Sequence, residues 1–193
     1  MPCAFTSGPL GYGIRGLEEV QPCFADLLRS DPAKALAPFG KKDVALLYWT
    51  AVAWGAAISL DKTNSALSAD LPRVEAIIRR ALELKAEFGE GVLYDFMIVY
   101  EGGRPTACGG STDRVREDLA RAMQLSGGRR AAPLVSFAET VDVAMQDRAE
   151  FKKLLDQALA INIDDAPNHR LSNIIAQRRA RWLLGRMDHL FLD

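Results

Sequence analysis

Arg80-Ala81-Leu82-Glu83-Leu84, Arg121-Ala122-Met123-Gln124-Leu125 and Gln157-Ala158-Leu159-Ala160-Ile161 are three versions of one short pattern, each at the end of a predicted helix. The second alanine follows the first by 41 residues, and the third follows the second by 36. A recurrence at this period is typical of helical repeat proteins, in which each unit is a pair of antiparallel helices. One helix pair cannot bury its apolar face alone, so neighbouring units stack and share a core. The sequence therefore predicts an all-α helical repeat array, an architecture that usually serves binding.

Helical periodicity extends along most of the chain. A first pair is predicted from Val44 to Leu60 and from Leu71 to about Lys85, where apolar residues of the second helix recur at helical spacing. Further helices are predicted over residues 17–29, 33–38, 91–100, 112–125, 133–145, 148–161 and 171–187. No stretch alternates with period two, so no sheet is expected. Residues 1–16 are rich in glycine and are predicted to be irregular, which leaves residues 17–193 as a single helical-repeat domain.

The segment Val44–Leu60 contains no charged side chain in 17 residues. Two interpretations fit this composition. A membrane span needs about 20 apolar residues, so the segment is slightly short for one, and Trp54 would lie near the middle of the bilayer. The preferred interpretation is a helix that is buried on most sides.

The charge balance argues against several partners. The chain has 24 basic and 25 acidic side chains, and its formal charge of −1 gives no overall attraction to nucleic acid or anionic lipid. Metal sites and disulfide scaffolds are not expected either, because the cysteines form no Cys-x-x-Cys pair and the histidines lack metal-ligand spacing. These residues are Cys3, Cys23, Cys108, His169 and His189.

Catalytic motifs are also missing from the sequence. The glycine pairs at 102–103 and 109–110 lack the Gly-Lys-Ser/Thr that follows in a nucleotide-binding loop. Glu139 and Asp142 are three residues apart on one helix face, which is common for solvated carboxylates and weak support for a catalytic pair. No nucleophile with a matching base is present. The chain is therefore predicted not to be an enzyme and to need no cofactor.

Aromatic side chains are concentrated on the first helices of two neighbouring predicted repeats. In stacked helix pairs these helices commonly line the concave side, where aromatic rings can bind a peptide or an apolar small molecule. The alternative is that they form the core between repeats, which is preferred for most of them. The candidates for a cavity wall are Tyr48, Trp49, Trp54 and Tyr94, of which Tyr48 and Tyr94 fit best.

The last predicted helix carries an arginine within an apolar stripe. The stripe consists of Leu171, Ile174, Ile175, Arg178 and Trp182, and Arg181 lies beside it. A buried guanidinium needs a carboxylate or several carbonyl groups as partners. One interpretation is a salt bridge to an acid such as Asp95 or Glu139. The other is an arginine that holds the carboxylate of a ligand, with Asn173 and Gln177 as additional hydrogen-bonding candidates.

Several stretches resemble the T-component of TRAP transporters, in the same order along the chain. The runs are Tyr12-Gly13-Ile14-Arg15-Gly16-Leu17-Glu18, Leu46-Leu47-Tyr48-Trp49-Thr50-Ala51, Ala53-Trp54-Gly55-Ala56-Ala57-Ile58-Ser59-Leu60, Arg80-Ala81-Leu82-Glu83-Leu84, Gln146-Asp147-Arg148, Ala158-Leu159-Ala160-Ile161, and Leu171-Ser172-Asn173-Ile174-Ile175-Ala176-Gln177-Arg178-Arg179-Ala180-Arg181-Trp182-Leu183-Leu184. Each run alone is modest, but the ordered series is specific, and its last member is the longest.

This resemblance implies a tetratricopeptide-like array of helix pairs with a cavity or pore through it. It implies a non-enzymatic auxiliary protein that associates with a periplasmic solute-binding protein, which delivers a ligand to the membrane transporter. An apolar or amphipathic organic acid is the ligand expected in the cavity. The resemblance also implies a lipid-anchored periplasmic protein and, for some members, a homotrimer.

The N-terminus departs from the family pattern. Members usually have a signal peptide, a lipobox cysteine and early helices before the run that begins here at Tyr12. The residues around Cys3 form neither a signal peptide nor a lipobox. The expectation is therefore a truncated chain or a misassigned start that lacks the upstream helices. Taken literally, the N-terminus favours an alternative function, a cytoplasmic tetratricopeptide-like scaffold that binds protein tails.

Overall fold

The structure is a computed structural model that describes residues 8–61, 63–105 and 109–192. The chain forms two compact units, of which the first ends at Phe88 and the second begins at Gly89. The described residues contain helices packed against each other and no strand, so the predicted all-α fold class is confirmed. The division of the helices into stacked repeats stays a prediction.

Unit 1 is built around two long helices. Its elements are α1 (Pro9–Val20), α2 (Phe24–Ser30), α3 (Pro32–Leu36), a 3-10 turn (Lys41–Asp43), α4 (Val44–Leu60), α5 (Ser65–Ser68) and α6 (Leu71–Lys85). The bounds of α4 and α6 are those that the sequence predicts. The two helices pack against each other, and α1 packs against α4. Phe24 and Phe39 meet edge to face in the core of this unit, with ring centroids 5.5 Å apart.

The prediction that residues up to Gly16 are irregular is wrong from Pro9 onward, because α1 is a regular helix there. Proline suits the first turn of a helix, where its missing N–H is not needed. Glycine lowers helix propensity, but Gly13 allows α1 to approach α4 closely. A Cβ at Gly13 would lie 2.5 Å from Oγ1 of Thr50. Tertiary packing therefore overrides propensity in this segment, while residues 1–7 lie outside the described part of the chain.

Helix α4 is buried along one face rather than on most sides. The buried residues of α4 are Val44, Leu47, Thr50, Ala51, Trp54 and Ile58. By length and composition alone, Lys41–Leu60 could cross a membrane, and 39% of the apolar window within it is buried in the structure. Since α4 is apolar all round, its sequence does not indicate which side faces the core.

Unit 2 contains the remaining helices. They are α7 (Val92–Gly102), α8 (Thr112–Leu125), α9 (Ala132–Phe137), a π-helical turn (Ala138–Asp142), α10 (Val143–Met145), α11 (Arg148–Ala160), a 3-10 turn (Pro167–His169), α12 (Arg170–Leu184) and α13 (Met187–Leu190). Helix α7 packs against α8 and α9, and α12 packs against α9 and α11. Helix α8 is followed by Gly127 and Gly128, both in the left-handed region, as expected after a helix C-terminus.

The three alanines of the recurring sequence pattern occupy similar environments. Ala81, Ala122 and Ala158 are all fully buried, on α6, α8 and α11 respectively. At Ala122 the helix is approached closely by Gly91, since a Cβ on Gly91 would lie 3.1 Å from the Cα of Ala122. The pattern therefore marks positions where each of these helices packs tightly.

Candidate functional site

An apolar groove lies between α1 and α4 in unit 1. It has a volume of about 380 Å³ and is lined by Pro9, Tyr12, Gly13, Leu46, Trp49, Thr50, Val52, Ala53 and Ala56. None of these lining residues carries a charge. Volumes of this order are typical of small-molecule sites, which are mostly apolar with a few polar groups. We refer to this site as the α1–α4 groove.

Two exposed aromatic rings stand at the α1–α4 groove. Tyr12 is 70% exposed and Trp49 is 64% exposed, although both are large side chains with apolar surface. The guanidinium of Arg15 lies over the Tyr12 ring, 4.5 Å from its centroid, and brings a positive charge beside a lining residue. The arrangement can therefore hold an apolar body with its anionic end near Arg15.

The structure separates the three α4 candidates by their environments. Trp49 lines the α1–α4 groove, whereas Trp54 is 3% exposed and belongs to the core. Tyr48 is half-buried and packs its ring against Trp49 and Phe88, with centroid distances of 5.0 and 5.7 Å. Of these candidates, Trp49 is the one placed on a cavity wall.

The candidates Tyr94, Asn173 and Gln177 lie within unit 2. Tyr94 is partly buried against the hydrophobic core of the unit. Gln177 donates hydrogen bonds from Nε2 to the carbonyl oxygens of Ala158 at 3.0 Å and Ile161 at 2.7 Å, and it thereby satisfies the end of α11. The side-chain amides of both candidates, Asn173 and Gln177, therefore form hydrogen bonds with the chain's own backbone.

The expectation that Arg178 is buried is wrong. Arg178 and Arg181 are both exposed, and so are Leu171, Ile175 and Trp182 of the same predicted stripe. The two acids expected as partners of Arg178 pair with other arginines. Asp95 pairs with the buried Arg130, and Glu139 pairs with Arg179. The buried face of α12 consists instead of Asn173, Ala176, Gln177, Ala180 and Leu183.

A buried polar cluster in unit 2 was not predicted. Arg130 is 5% exposed and pairs with Asp95. Burial raises the pKa of Asp95 to about 6, although the positive charge of Arg130 acts to lower it. Nε2 of His169 lies 3.1 Å from Oε2 of Glu90, and the interaction with this imidazole is the main cause that lowers the pKa of Glu90. Glu90 also has a positive φ of 55°. A sequence signal for the cluster was available in Arg129-Arg130, one of the few adjacent basic pairs.

A separate cluster of acidic residues surrounds the π-helical turn. Asp142 is 1% exposed, and among the described residues no donor reaches either of its carboxyl oxygens. Burial raises its pKa to about 7, with further contributions from the negative charges of Glu150 and Asp147 and opposition from Arg116. Arg116 binds Glu150 with two hydrogen bonds of 2.7 and 2.5 Å. The sequence placed Asp142 on a solvated helix face, whereas the π-turn buries it.

Metal binding finds no support in the described part of the chain, where no group of three or more His, Cys, Asp or Glu side chains could hold an ion. Cys23 is an exposed free thiol, whereas Cys3 and Cys108 lie outside the described residues.

Comparison with known proteins agrees with the ordered sequence runs. Residues 7–191 match the TRAP transporter T-component family. The chain is also similar to a protein of Treponema pallidum (strain Nichols) that is described as uncharacterized, with 26% identity over 186 residues. That alignment covers 94% of this chain and 58% of the relative, so the chain spans less than two thirds of the relative's length. The match along nearly the whole chain shows that it belongs to the TRAP transporter T-component family.

Proposed function

We propose that this chain is a non-catalytic auxiliary subunit that serves a TRAP-type transporter from the periplasm, where it binds the transporter's solute-binding protein. The observation that carries the proposal is the family match over residues 7–191. Membership of a transporter component family supports a role at the membrane. We also propose that the chain is anchored by a lipid, that its helix pairs stack as in tetratricopeptide proteins, and that it assembles as a homotrimer.

We further propose that the α1–α4 groove takes the apolar part of an amphipathic organic acid. The lining is uncharged and includes Trp49, which was a candidate from the sequence. Arg15, stacked on Tyr12, would face the acid group. Much of the lining belongs to the runs that carry the family resemblance, which supports a shared role for this surface.

The partner is tested by purifying the chain from the periplasmic and membrane fractions of its native cells. We expect the solute-binding protein to copurify in a near-stoichiometric amount. If the chain fractionates with the cytosol and no solute-binding protein is recovered, the proposal is contradicted and the cytoplasmic scaffold becomes the better interpretation.

The ligand is tested with a dansyl-labelled undecanoic acid, whose emission is excited by energy transfer from tryptophan. We expect saturable binding that is lost in Ala53→Trp, because the added ring fills the α1–α4 groove. A matched control is Ala45→Trp, at an exposed position of the same helix that does not line the groove. Equal binding by the two variants would contradict the groove as the site.

A further inference from the structure

Helix α12 presents a straight apolar stripe to solvent with an arginine in its middle. Leu171 is 71% exposed, Ile175 is 60% exposed and Trp182 is 45% exposed. Arg178 is also exposed and lies between Ile175 and Trp182 in the sequence. We call these four residues the α12 stripe.

The spacing of the α12 stripe is that of a helix–helix seam. Successive members are four, three and four residues apart, which keeps them on one narrow face over three turns. At 1.5 Å per residue the stripe is about 16 Å long. A face of this shape accommodates one partner helix that runs along it.

The charge of α12 indicates what kind of helix fits. The helix contains four arginines and no acidic residue. Arg170 pairs with Asp164, and Arg179 pairs with Glu139. In contrast, no acid among the described residues forms an ion pair with Arg178 or Arg181. The positive charge next to the apolar side chains is therefore not neutralised within this part of the chain.

Trp182 extends this positive apolar surface toward the C-terminal end of the stripe. The guanidinium groups of Arg179 and Arg186 lie 4.0 and 4.9 Å from the centroid of its ring. These contacts fix the ring in place while it stays 45% exposed. Tryptophan and arginine are among the residue types that are enriched at the positions that contribute most of the binding energy of protein interfaces.

We propose that the α12 stripe docks an amphipathic helix of the solute-binding protein, with a carboxylate of that helix opposite Arg178. This inference rests on the proposed function, because that function supplies the partner. A carboxylate is required because covering the stripe would desolvate Arg178, and an unpaired buried guanidinium is strongly unfavourable.

Two other occupants fit the surface less well. Symmetric pairing of α12 with the same helix of a second copy would bring Arg178 and its neighbours against an equally positive face. Helices that lie on a membrane carry their basic residues on the polar face, opposite the apolar face. In α12 the arginine stands in the centre of a narrow stripe, which suits an ion pair within a protein interface.

The test is a titration of the purified chain with the purified solute-binding protein, read as a dissociation constant. We expect Ile175→Glu and Arg178→Glu each to weaken binding by roughly tenfold or more. The matched control is Arg121→Glu, which reverses an exposed arginine on α8 and should leave binding unchanged. A carboxylate-to-lysine substitution on the partner helix should restore binding to Arg178→Glu and weaken binding to the wild type.

Each result bears on the inference. All these positions are exposed, so unchanged melting temperatures are expected and confirm that the variants fold. If the wild type binds and the α12 variants bind equally well, the docking surface is overturned while the proposed function stands. If the wild type does not bind the solute-binding protein, both the docking surface and the proposed function are contradicted. Variants that change only the oligomeric state, or only binding to anionic phosphatidylglycerol vesicles, would assign the stripe to a second copy or to a membrane and overturn the inference.

Discussion

The side-chain oxygen of Asn173 accepts a hydrogen bond from the backbone N–H of Ala131, 3.0 Å away, across 42 positions of the sequence. The amide nitrogen of the same side chain donates to the carbonyl oxygen of Arg129 at 2.8 Å. Asn173 is completely buried. One side chain on α12 therefore fixes the connection that leads into α9 by occupying a donor and an acceptor of its backbone.

Asn173→Ala should destabilise unit 2. The substitution leaves a buried N–H at Ala131 and a carbonyl at Arg129 without partners, which costs about 1–3 kcal/mol for an unsatisfied buried group. Chemical denaturation of the full-length protein measures this change. Arg178→Leu, five residues further on the same helix, is the matched comparison and should change stability by less than about 0.5 kcal/mol because Arg178 is exposed. A larger loss for Arg178→Leu would contradict this account of α12.

The start of α12 could be predicted to within one residue from the sequence, but the helix ends at Leu184 rather than at Met187, and its buried face could not be predicted. The helix has one face with large apolar side chains, namely Leu171, Ile175 and Trp182, and hydrophobicity alone selects that face for the core. The structure buries the face with two amides and small side chains instead. Asn173 and Gln177 bind backbone groups of other segments there, and such long-range hydrogen bonds leave no mark in the periodicity of a single helix.

Gly13→Ala should lower the stability of unit 1 even though alanine is the better helix former. The new Cβ would lie 2.5 Å from Oγ1 of the buried Thr50, so α1 and α4 must shift or Thr50 must change rotamer. We expect a net loss of about 1–3 kcal/mol, as is usual for an overpacked contact. The measurement is a double-mutant cycle with Thr50→Ala, which removes the clashing oxygen and should restore much of the loss. Additive effects of the two substitutions would show that they do not share a contact.

The sequence also failed to predict α1, because its start depends on packing against another helix rather than on local propensity. The three glycines Gly11, Gly13 and Gly16 lower helix propensity locally, and nothing in that stretch reveals that α4 will pack against it. In α6, by contrast, propensity and apolar spacing agree with the packing, and the predicted bounds from Leu71 to Lys85 are correct.

The contribution of Asp142 to the stability of the protein should decrease as the pH rises from about 4 to about 7. Its pKa in the folded state is raised to about 7, so the folded protein holds a proton that the unfolded chain releases near its ordinary value of 3.8. The stabilisation is therefore complete below about pH 4 and is lost as the pH approaches 7 and exceeds it. The slope cannot exceed about 1.4 kcal/mol per pH unit for one proton.

Asp142→Asn isolates this contribution. The amide has the shape of the protonated carboxyl group and does not titrate, so the variant should be more stable than the wild type at pH 8 and similar at pH 5. Asp95, whose pKa is raised to about 6, is present in both proteins and cancels in the difference. Melting temperatures between pH 5 and pH 8 provide the measurement. Parallel profiles for the two proteins would rule out a proton on Asp142.

Asp95→Asn should be more damaging than its conservative shape suggests. Arg130 is 5% exposed, and without the carboxylate its charge would be buried and uncompensated. Removing one partner of a buried pair typically costs about 3–5 kcal/mol, whereas replacing both partners with apolar residues is often neutral. We therefore expect the double variant Asp95→Leu/Arg130→Met to be more stable than Asp95→Asn in urea denaturation. The reverse order would show that the pair is accessible to water.

The π-helical turn at Ala138–Asp142 also has a consequence for the comparison of homologous genes. A π-turn closes its hydrogen bonds over one more residue than an α-turn, so it is equivalent to the insertion of a single codon into a regular helix. A homologue whose helix is regular here should align with this chain through a one-residue gap between Ala138 and Asp142. The π-turn absorbs its extra residue as a local bulge, so the residues after the gap keep the same helix face in both proteins. The presence or absence of one codon would then distinguish family members that bury an acid at this point from those that do not.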